Sequence, residues 1–326
     1  EKATVVPYDH GFYSPAAQAA WLALRARGAA DADVAFFPHY DAPCLGMPAR
    51  SVLTVHDLIH FKVPEAFAAW RRAAAGILLH RGVTAAARVI AVSEATRRDL
   101  VERIPSAAAK VVVVPNGVTP FFAGGDGPVG DPGIRGPYLL CVGNRKPHKN
   151  LEGAVETLAR LGEARPELRL VVVGEVYPGW GAVLERAESL GVRGRIVELC
   201  GVDDARLRAL YAGCEALLFL SLYEGFGLPV LEAMAAGAPV VASDRSSIPE
   251  VVGDAGLLVD PHDPAAAAAA VLRLAADPAC RGERVRRGRA RAAQFTWERA
   301  GRETADVLYR VAAQRAAPHG STVPES

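Results

Sequence analysis

Long hydrophobic runs and an excess of charge of either sign are both missing from this sequence. Its longest apolar stretches, such as residues 265–272, are far shorter than the roughly 18–20 residues that a membrane-spanning helix needs. The start of the chain has no charged segment followed by an apolar one, so we expect no secretion signal. Lysine and arginine number 37 against 36 aspartates and glutamates. This balance argues against a general nucleic-acid binder, which needs a positive surface.

Cysteine is scarce, and the five cysteines present follow no CxxC spacing. A small domain stapled by disulfides is therefore excluded, and a structural zinc site is the disfavoured alternative. Scattered cysteines within apolar runs are typical of a reducing compartment, so we predict a cytoplasmic protein, with the inner face of the membrane as the alternative location. With 51% hydrophobic and 22% charged residues over 326 positions, the chain can form two globular domains.

Short apolar runs recur along the chain, and most are rich in Val, Leu and Ile without strict alternation. Such runs are typical of strands covered on both faces, and segments with helical spacing separate them. The pattern indicates repeated βαβ units with parallel sheets, which predicts the α/β fold class. The predicted strands are residues 4–7, 34–38, 51–55, 88–92, 110–115, 138–142, 168–173, 195–199, 216–220, 239–242 and 256–259.

Glycine and proline concentrate in residues 123–136, where neither a helix nor a central strand can continue. We therefore predict a first domain at residues 1–122, a linker at 123–136 and a second domain at 137–295. The remaining segment, 296–326, begins with one amphipathic helix over 296–313. The arginine-rich stretch 281–291 is predicted to be a solvated helix face, with docking on acidic lipid as the alternative.

The most informative segment begins at residue 221 with SLYEGFGLPVLEAMAAGAPVVAS. A strand at 216–220 is followed by the turn EGFG and by a short helix that Pro229 starts, because proline lacks the N–H that the first helical position does not use. The free amides of Gly227 and Leu228 favour an anion such as a diphosphate. Glu224 and Glu232 flank this anion site, and carboxylates there can accept hydrogen bonds from vicinal hydroxyls. The alternative is that Glu224 is a surface turn residue and Glu232 only complements the helix start.

This segment, with IPEVVGDAGLLVDP at 248–261, resembles the E-x7-E signature of family-4 retaining glycosyltransferases with the GT-B fold. The resemblance implies two Rossmann-like domains that face each other across a cleft, with a nucleotide diphosphate sugar bound in the second. It also implies that Glu224 holds sugar hydroxyls, that Glu232 holds the ribose, and that the backbone at Gly227 and Leu228 holds phosphate. Phe226 belongs to the same substrate-binding turn.

A basic loop, GNRKPHKN at 143–150, follows the strand at 138–142. Several cations at one strand end are costly unless a negative group lies between them. The family resemblance implies that Arg145 and Lys149 neutralise the donor diphosphate and the charge that develops on the leaving group. A solvated basic turn is the alternative.

Two further strand ends, at Gly174 and Val202, are predicted to contact the nucleotide base, since ligands bind at the carboxyl ends of parallel strands. Asp203 and Asp204 are predicted to cap a helix rather than to bind metal. No GxGxxG follows the strands at 138 and 168, which disfavours a dinucleotide oxidoreductase.

In the first half, the strand at 51–55 leads directly into His56. By family resemblance His56 contacts the donor hexose, with a metal-binding HDxxH or a structural role as alternatives. His39 and Tyr40 end the preceding strand and are predicted to contact the acceptor. The chain lacks a counterpart of the family's first strand and glycine-bearing loop, so we expect the first Rossmann-like domain to be incomplete.

The predicted reaction is transfer of a hexose from a nucleotide diphosphate sugar to a hydroxyl of a sugar or glycolipid acceptor, with retained anomeric configuration. The family resemblance implies no metal and no other cofactor, and front-face attack in which the leaving diphosphate takes the acceptor proton. A nucleotide-sugar epimerase and a non-catalytic nucleotide-sugar binding module are the alternatives. No nucleic acid is expected as a partner, and peripheral contact with the membrane is left open.

Overall fold

The computed structural model describes residues 15–24, 26, 32–41, 46–123 and 130–313. The chain divides into two compact units. The first comprises the residues up to Val92, Arg97–Val114 and the residues from Gly301 onward. The second comprises Ser93–Thr96 and Pro115–Ala300. Each unit is built on its own parallel sheet.

The first unit contains a four-stranded sheet in the order β1-β2-β3-β4, and every pairing is parallel. All five residues of β2 are buried, and its Leu53 and Val55 pack with Leu79 and Val83 of α3 in the core. The strands are β1 (Ala35–Phe37), β2 (Ser51–Val55), β3 (Arg88–Ala91) and β4 (Val111–Val113). The helices before and between them are α1 (Pro15–Leu24), α2 (Ile59–Lys62), α3 (Ala69–Ala85) and α4 (Glu94–Arg103).

The second unit contains a six-stranded parallel sheet in the order β10-β9-β8-β5-β6-β7. Counted within this unit, the order is the doubly wound arrangement of nucleotide-binding folds, in which the chain changes direction between the first and fourth strands. The strands are β5 (Tyr138–Val142), β6 (Arg169–Val173), β7 (Ile196–Leu199), β8 (Ala216–Phe219), β9 (Val240–Ser243) and β10 (Leu257–Val259).

Helices pack against this second sheet through apolar stripes; in α6, for example, Leu151, Val155 and Leu158 recur at helical spacing and are buried. The helices of this unit are α5 (Pro120–Ala123), α6 (Leu151–Arg160), α7 (Trp180–Ser189), α8 (Asp204–Gly213), α9 (Leu228–Ala236), α10 (Ile248–Val252), α11 (Pro264–Ala276) and α12 (Pro278–Ala292). The last helix, α13 (Trp297–Ala313), begins in this unit and belongs to the first unit from Gly301 onward.

The α/β class and the parallel sheets are confirmed, and every predicted strand from 34–38 onward has a counterpart. The run at 4–7 lies outside the described residues. The units divide at Val114 and Pro115, earlier than the linker predicted at 123–136. The reason is α5, whose Phe122 is buried with its ring 5.9 Å from that of Tyr211 in the second unit.

The arginine-rich stretch 281–291 lies on α12, and its side chains bind protein groups of the same unit. Arg281 donates to the carbonyl of Glu215 at 2.5 Å, and Arg287 forms ion pairs with Glu283 and Asp254. Arg291 donates to the carbonyls of Glu250 and Val251. These arginines therefore hold α12 against the rest of the unit, which favours a structural role over lipid docking.

Candidate active site

The change of direction in the second sheet lies between β5 and β8, and polar side chains follow both strands. The two strands pair only through Leu139 with Ala216 and Leu140 with Leu217. Beyond these pairs a small pocket, open to solvent, is lined by residues that include Gly143, Lys149, Phe219 and Ser221. Ligands of doubly wound sheets bind at this crevice, outside the carboxyl ends of the strands.

Lys149 and Glu224, from the two loops that border this crevice, form an ion pair. The ammonium Nζ lies 2.6 Å from Oε1 of Glu224, and each side chain is only 13% exposed. Nζ also lies 5.2 Å from the centre of the Phe219 ring. The structure thus brings the predicted cation and the first predicted carboxylate together in a partly desolvated place, where their charges interact strongly.

Two serines of the loop after β9 fix the turn that carries Glu224. The amide of Glu224 donates to Oγ of Ser246 at 2.9 Å, and Oγ of Ser247 lies 2.9 Å from the carbonyl of Glu224 and 2.7 Å from that of Phe226. Gly227 has a φ of +119° and precedes α9, a conformation that other residues rarely adopt. The turn geometry therefore depends on both the serines and the glycine.

The start of α9 provides the predicted amide groups. The helix begins at Leu228, so Pro229 is its second residue rather than its first. The first amides of a helix have no acceptor within the helix, and the dipole makes this end attractive to anions. Gly227 and Leu228 therefore present N–H groups at the same turn as Glu224.

Glu232 lies one turn into α9 and binds Tyr211 of α8. The Tyr211 hydroxyl donates to Oε2 of Glu232 at 2.9 Å. Burial raises the pKa of Glu232, the Tyr211 hydrogen bond opposes this shift, and Asp204 adds to it. The pKa of the fully buried Tyr211 hydroxyl is raised well above its usual value, mainly by burial, so it acts as a donor to the carboxylate.

Arg145 lies apart from Lys149 and pairs with a different carboxylate. Its side chain is 1% exposed, and Nη1 donates to Oε2 of Glu198 at 2.7 Å. The guanidinium also lies 4.9 Å from the centre of the Trp180 ring. A group enclosed in this way does not face the crevice, and only Lys149 of the predicted pair lies there.

The other predicted contacts of the second unit are backbone positions. Gly174 follows β6 with a φ of +142°, and Val202 is half-buried after β7. Asp203 caps α8 as predicted, since its side chain accepts from the amide of Arg206 at 2.8 Å. Phe226 is corrected: its ring is buried 5.9 Å from that of Phe295, so only its backbone remains available.

Within the first unit, the predicted histidines lie at the carboxyl ends of β1 and β2. Nε2 of His56 lies 2.8 Å from the carbonyl of Pro38, and the rings of His39 and His56 stack with centres 6.0 Å apart. Burial, followed by the charge of His56, lowers the pKa of His39 to about 4. Tyr40 is corrected, because it is 1% exposed with its hydroxyl 3.0 Å from Nδ1 of His60, so it belongs to the core.

Sequence reasoning missed the residues that support the site. Tyr211, Ser246 and Ser247 have ordinary sequence surroundings, and only tertiary contact shows that they hold Glu232 and the Glu224 turn. His148 carries no predicted role in the basic loop, yet burial and the charges of Lys149 and Lys146 lower its pKa to about 3. The sequence does show that His148 lies between Lys146 and Lys149, two cations that disfavour a charged histidine.

Comparison with known proteins shows the family of this chain. A model described as glycosyl transferases group 1 matches residues 133–294, and one described as glycosyltransferase family 4 matches residues 2–120. The O-antigen chain mannosyltransferase B of Escherichia coli is 33% identical over 282 residues, 81% of this chain and 72% of that protein. This chain belongs to the group 1 glycosyltransferases.

A second relative of this glycosyltransferase is the MMP alpha-(1->4)-mannosyltransferase of Mycolicibacterium hassiacum, which is 32% identical over 234 residues. The match covers 70% of this chain and 55% of that protein, so the chain spans just over half of this relative's length. Sucrose-phosphate synthase from Thermosynechococcus elongatus superimposes with a TM-score of 0.75 at 23% identity, covering 95% of this chain and 81% of that one. This likeness shows the GT-B fold.

Proposed function

We propose that this glycosyltransferase transfers a hexosyl group from a nucleoside diphosphate sugar to a hydroxyl of a saccharide acceptor, with retention of anomeric configuration. The observation that carries the proposal is the partly buried pair of Lys149 and Glu224 at the crevice between β5 and β8. An ammonium suits a diphosphate, and a carboxylate suits sugar hydroxyls, so the pair matches the junction between the two parts of such a donor.

In this proposal each group binds one part of the donor. Lys149 and the amides of Gly227 and Leu228 bind the diphosphate, which gains charge as the glycosidic bond breaks. Glu224 accepts hydrogen bonds from hexose hydroxyls. Glu232, whose carboxylate is fixed by the Tyr211 hydroxyl, accepts them from the ribose.

We propose front-face attack as the origin of retention. The bond between the anomeric carbon and the leaving diphosphate oxygen breaks, and the acceptor oxygen forms its bond on the same face. The acceptor proton passes to an oxygen of the leaving diphosphate. A double displacement instead needs two carboxyl groups about 5 Å apart, one of which forms a covalent intermediate; in this proposal Glu224 binds hexose hydroxyls and forms no bond to the anomeric carbon.

Mannose is the hexose that the relatives favour, because two are named mannosyltransferases. A solved relative from Anabaena is described in complex with UDP-glucose, so both guanosine and uridine donors belong in the test.

We propose that no metal is needed, since Lys149 and the helix amides supply positive charge to the diphosphate. No helix in the described part of the chain is long and apolar enough to cross a membrane.

The test is turnover of GDP-mannose and UDP-glucose with a saccharide acceptor, with the product anomer assigned by NMR. Wild-type protein is expected to form the retained anomer, and Lys149→Ala and Glu224→Ala should each lower kcat/KM by about 10²-fold or more. Glu156→Gln, at an exposed ion pair with Arg186, is the matched control and should be unchanged. Nucleotide binding without transfer would instead indicate a binding module, and an inverted product would refute front-face attack.

A further inference from the structure

Arg145 is the most enclosed cation of the loop between β5 and α6, and its guanidinium bonds to Glu198 and Cys200 rather than to Glu224. Its side chain is 1% exposed, and its partners are Glu198 at 2.7 Å, the Trp180 ring at 4.9 Å and Sγ of Cys200 at 3.5 Å. A buried guanidinium is tolerated only with a partner, so its position is set by Glu198.

Glu198 is itself held firmly, because three donors converge on it. Nε1 of Trp180 lies 2.7 Å from Oε2, Nη2 of Arg193 lies 2.9 Å from Oε1, and Arg145 completes the set. Glu198 is a residue of β7, and Trp180 begins α7. Arg145 therefore ties its loop to two rigid elements on the far side of β6.

Backbone contacts fix the same loop at its base. The amide of Gly143 donates to the carbonyl of Val173 at 2.9 Å, and the amide of Arg145 donates to that of Glu175 at 3.0 Å. A Cβ on Gly174 would lie 2.0 Å from the Gly143 carbonyl oxygen, so the two strand ends are in direct contact. Arg145 is thus fixed through both its backbone and its side chain.

Lys149 lies at the other end of this loop. A single 3₁₀ turn over Pro147–Lys149 separates it from the fixed part, and its amide donates to the carbonyl of Lys146 at 3.0 Å. Its side chain runs back along the loop, where Cε lies 3.0 Å from the place that a Cβ on Gly143 would occupy. The position of Nζ therefore depends on how the loop leaves β5.

We propose that Arg145 is a positioning residue: through its buried pair with Glu198 it fixes the loop so that Nζ of Lys149 lies at Glu224 and at the donor diphosphate. This rests on the proposed function of the site. It differs from a direct contact with phosphate, in which Arg145 would leave Glu198 to reach the donor.

The experiment measures kcat and KM with GDP-mannose and UDP-glucose, and the affinity for GDP and UDP by calorimetry. Arg145→Lys cannot form the planar contacts with Glu198 and Trp180, and Glu198→Gln removes the charge that holds Arg145. Each is expected to lower kcat/KM by about 10²-fold, since a 1 Å displacement of a catalytic group costs that much. Arg186→Gln is the control, because it breaks a surface ion pair with Glu156 that contacts neither Glu198 nor the loop, and it should stay within about twofold.

Combined variants separate positioning from general stability. In a Lys149→Ala background, Arg145→Lys should cause no further loss of kcat/KM, because Arg145 acts through Lys149. A further loss there, or unchanged kcat/KM for Arg145→Lys in the wild-type background, overturns the proposal. Tighter GDP and UDP binding by Glu198→Gln also overturns it, because that result means that Glu198 restrains a direct phosphate ligand. Wild-type protein that neither binds nor turns over these compounds contradicts the proposed function instead.

Discussion

His148 makes the stability of the second unit depend on pH in a way that the structure allows us to calculate. Burial, followed by the charges of Lys149 and Lys146, lowers its pKa from 6.5 to about 3. Between these values the unfolded chain binds a proton that the folded protein does not. The free energy of unfolding therefore falls as the pH drops below 6.5, by about 1.4 kcal/mol per pH unit. From pH 6.5 to 4 the loss from this group alone is about 3 kcal/mol.

His148→Gln removes this titration, so the variant is expected to lose less stability in acid than the wild type does. The assay is urea denaturation at pH 7, 6, 5 and 4, followed by circular dichroism, with the difference between the two proteins plotted against pH. His262→Gln is the matched control, because His262 is an exposed histidine of the same unit. A wild-type curve parallel to that of His148→Gln would refute the reasoning, since it would mean that His148 takes up its proton in the folded protein.

The remaining predictions concern four single substitutions. Glu224→Gln removes the anionic partner of Lys149, so calorimetry should show tighter binding of GDP or UDP alone together with slower sugar transfer. Tyr211→Phe removes the hydroxyl that holds Glu232; unfolding should be easier by about 1–2 kcal/mol, and the thermal shift caused by GDP or UDP should shrink. Gly117→Ala would place a Cβ 2.2 Å from the Trp297 amide nitrogen. It should lower the free energy of unfolding, measured by urea denaturation, by about 3 kcal/mol or more. Gly301→Ala has nothing within 4 Å of its Cβ and should instead stabilise α13 by up to about 1 kcal/mol; equal effects of the two glycine variants would contradict this difference.

The strands and the positions of Lys149, Glu224 and Glu232 could be predicted, because each depends on a short pattern of neighbouring residues. Strands such as β5 and β6 are continuous apolar runs, and the positions of Glu224 and Glu232 follow from a glycine turn and a proline near the helix start. The position of Lys149 at the crevice follows from its place in the loop after β5. These features need no knowledge of distant contacts.

The rest could not be predicted because it depends on which distant side chains meet. Arg145 and Lys149 are four residues apart in one basic loop, yet one is enclosed by Glu198 of β7 and the other faces Glu224 after β8. Tyr40 and Phe226 end strands or lie in turns, as binding residues do, but their rings fill the core. The sequence indicates where a loop lies, and packing decides which way each side chain turns.

The basic side chains of the loop after β5 have different partners. This difference bears on which of them a donor can bind. Arg145 is bound to Glu198, Lys146 lies 5.5 Å from the Tyr177 ring, and His148 is kept neutral by burial. Lys149 is paired with Glu224, the carboxylate that we assign to the hexose. A donor can replace both halves of this pair at once, because its diphosphate takes Lys149 while its sugar hydroxyls take Glu224. A free nucleoside diphosphate satisfies Lys149 but leaves Glu224 without a partner in a partly buried place, which is costly. Under the proposed function, the ion pair therefore favours the intact donor over its product and assists release of the nucleotide after transfer.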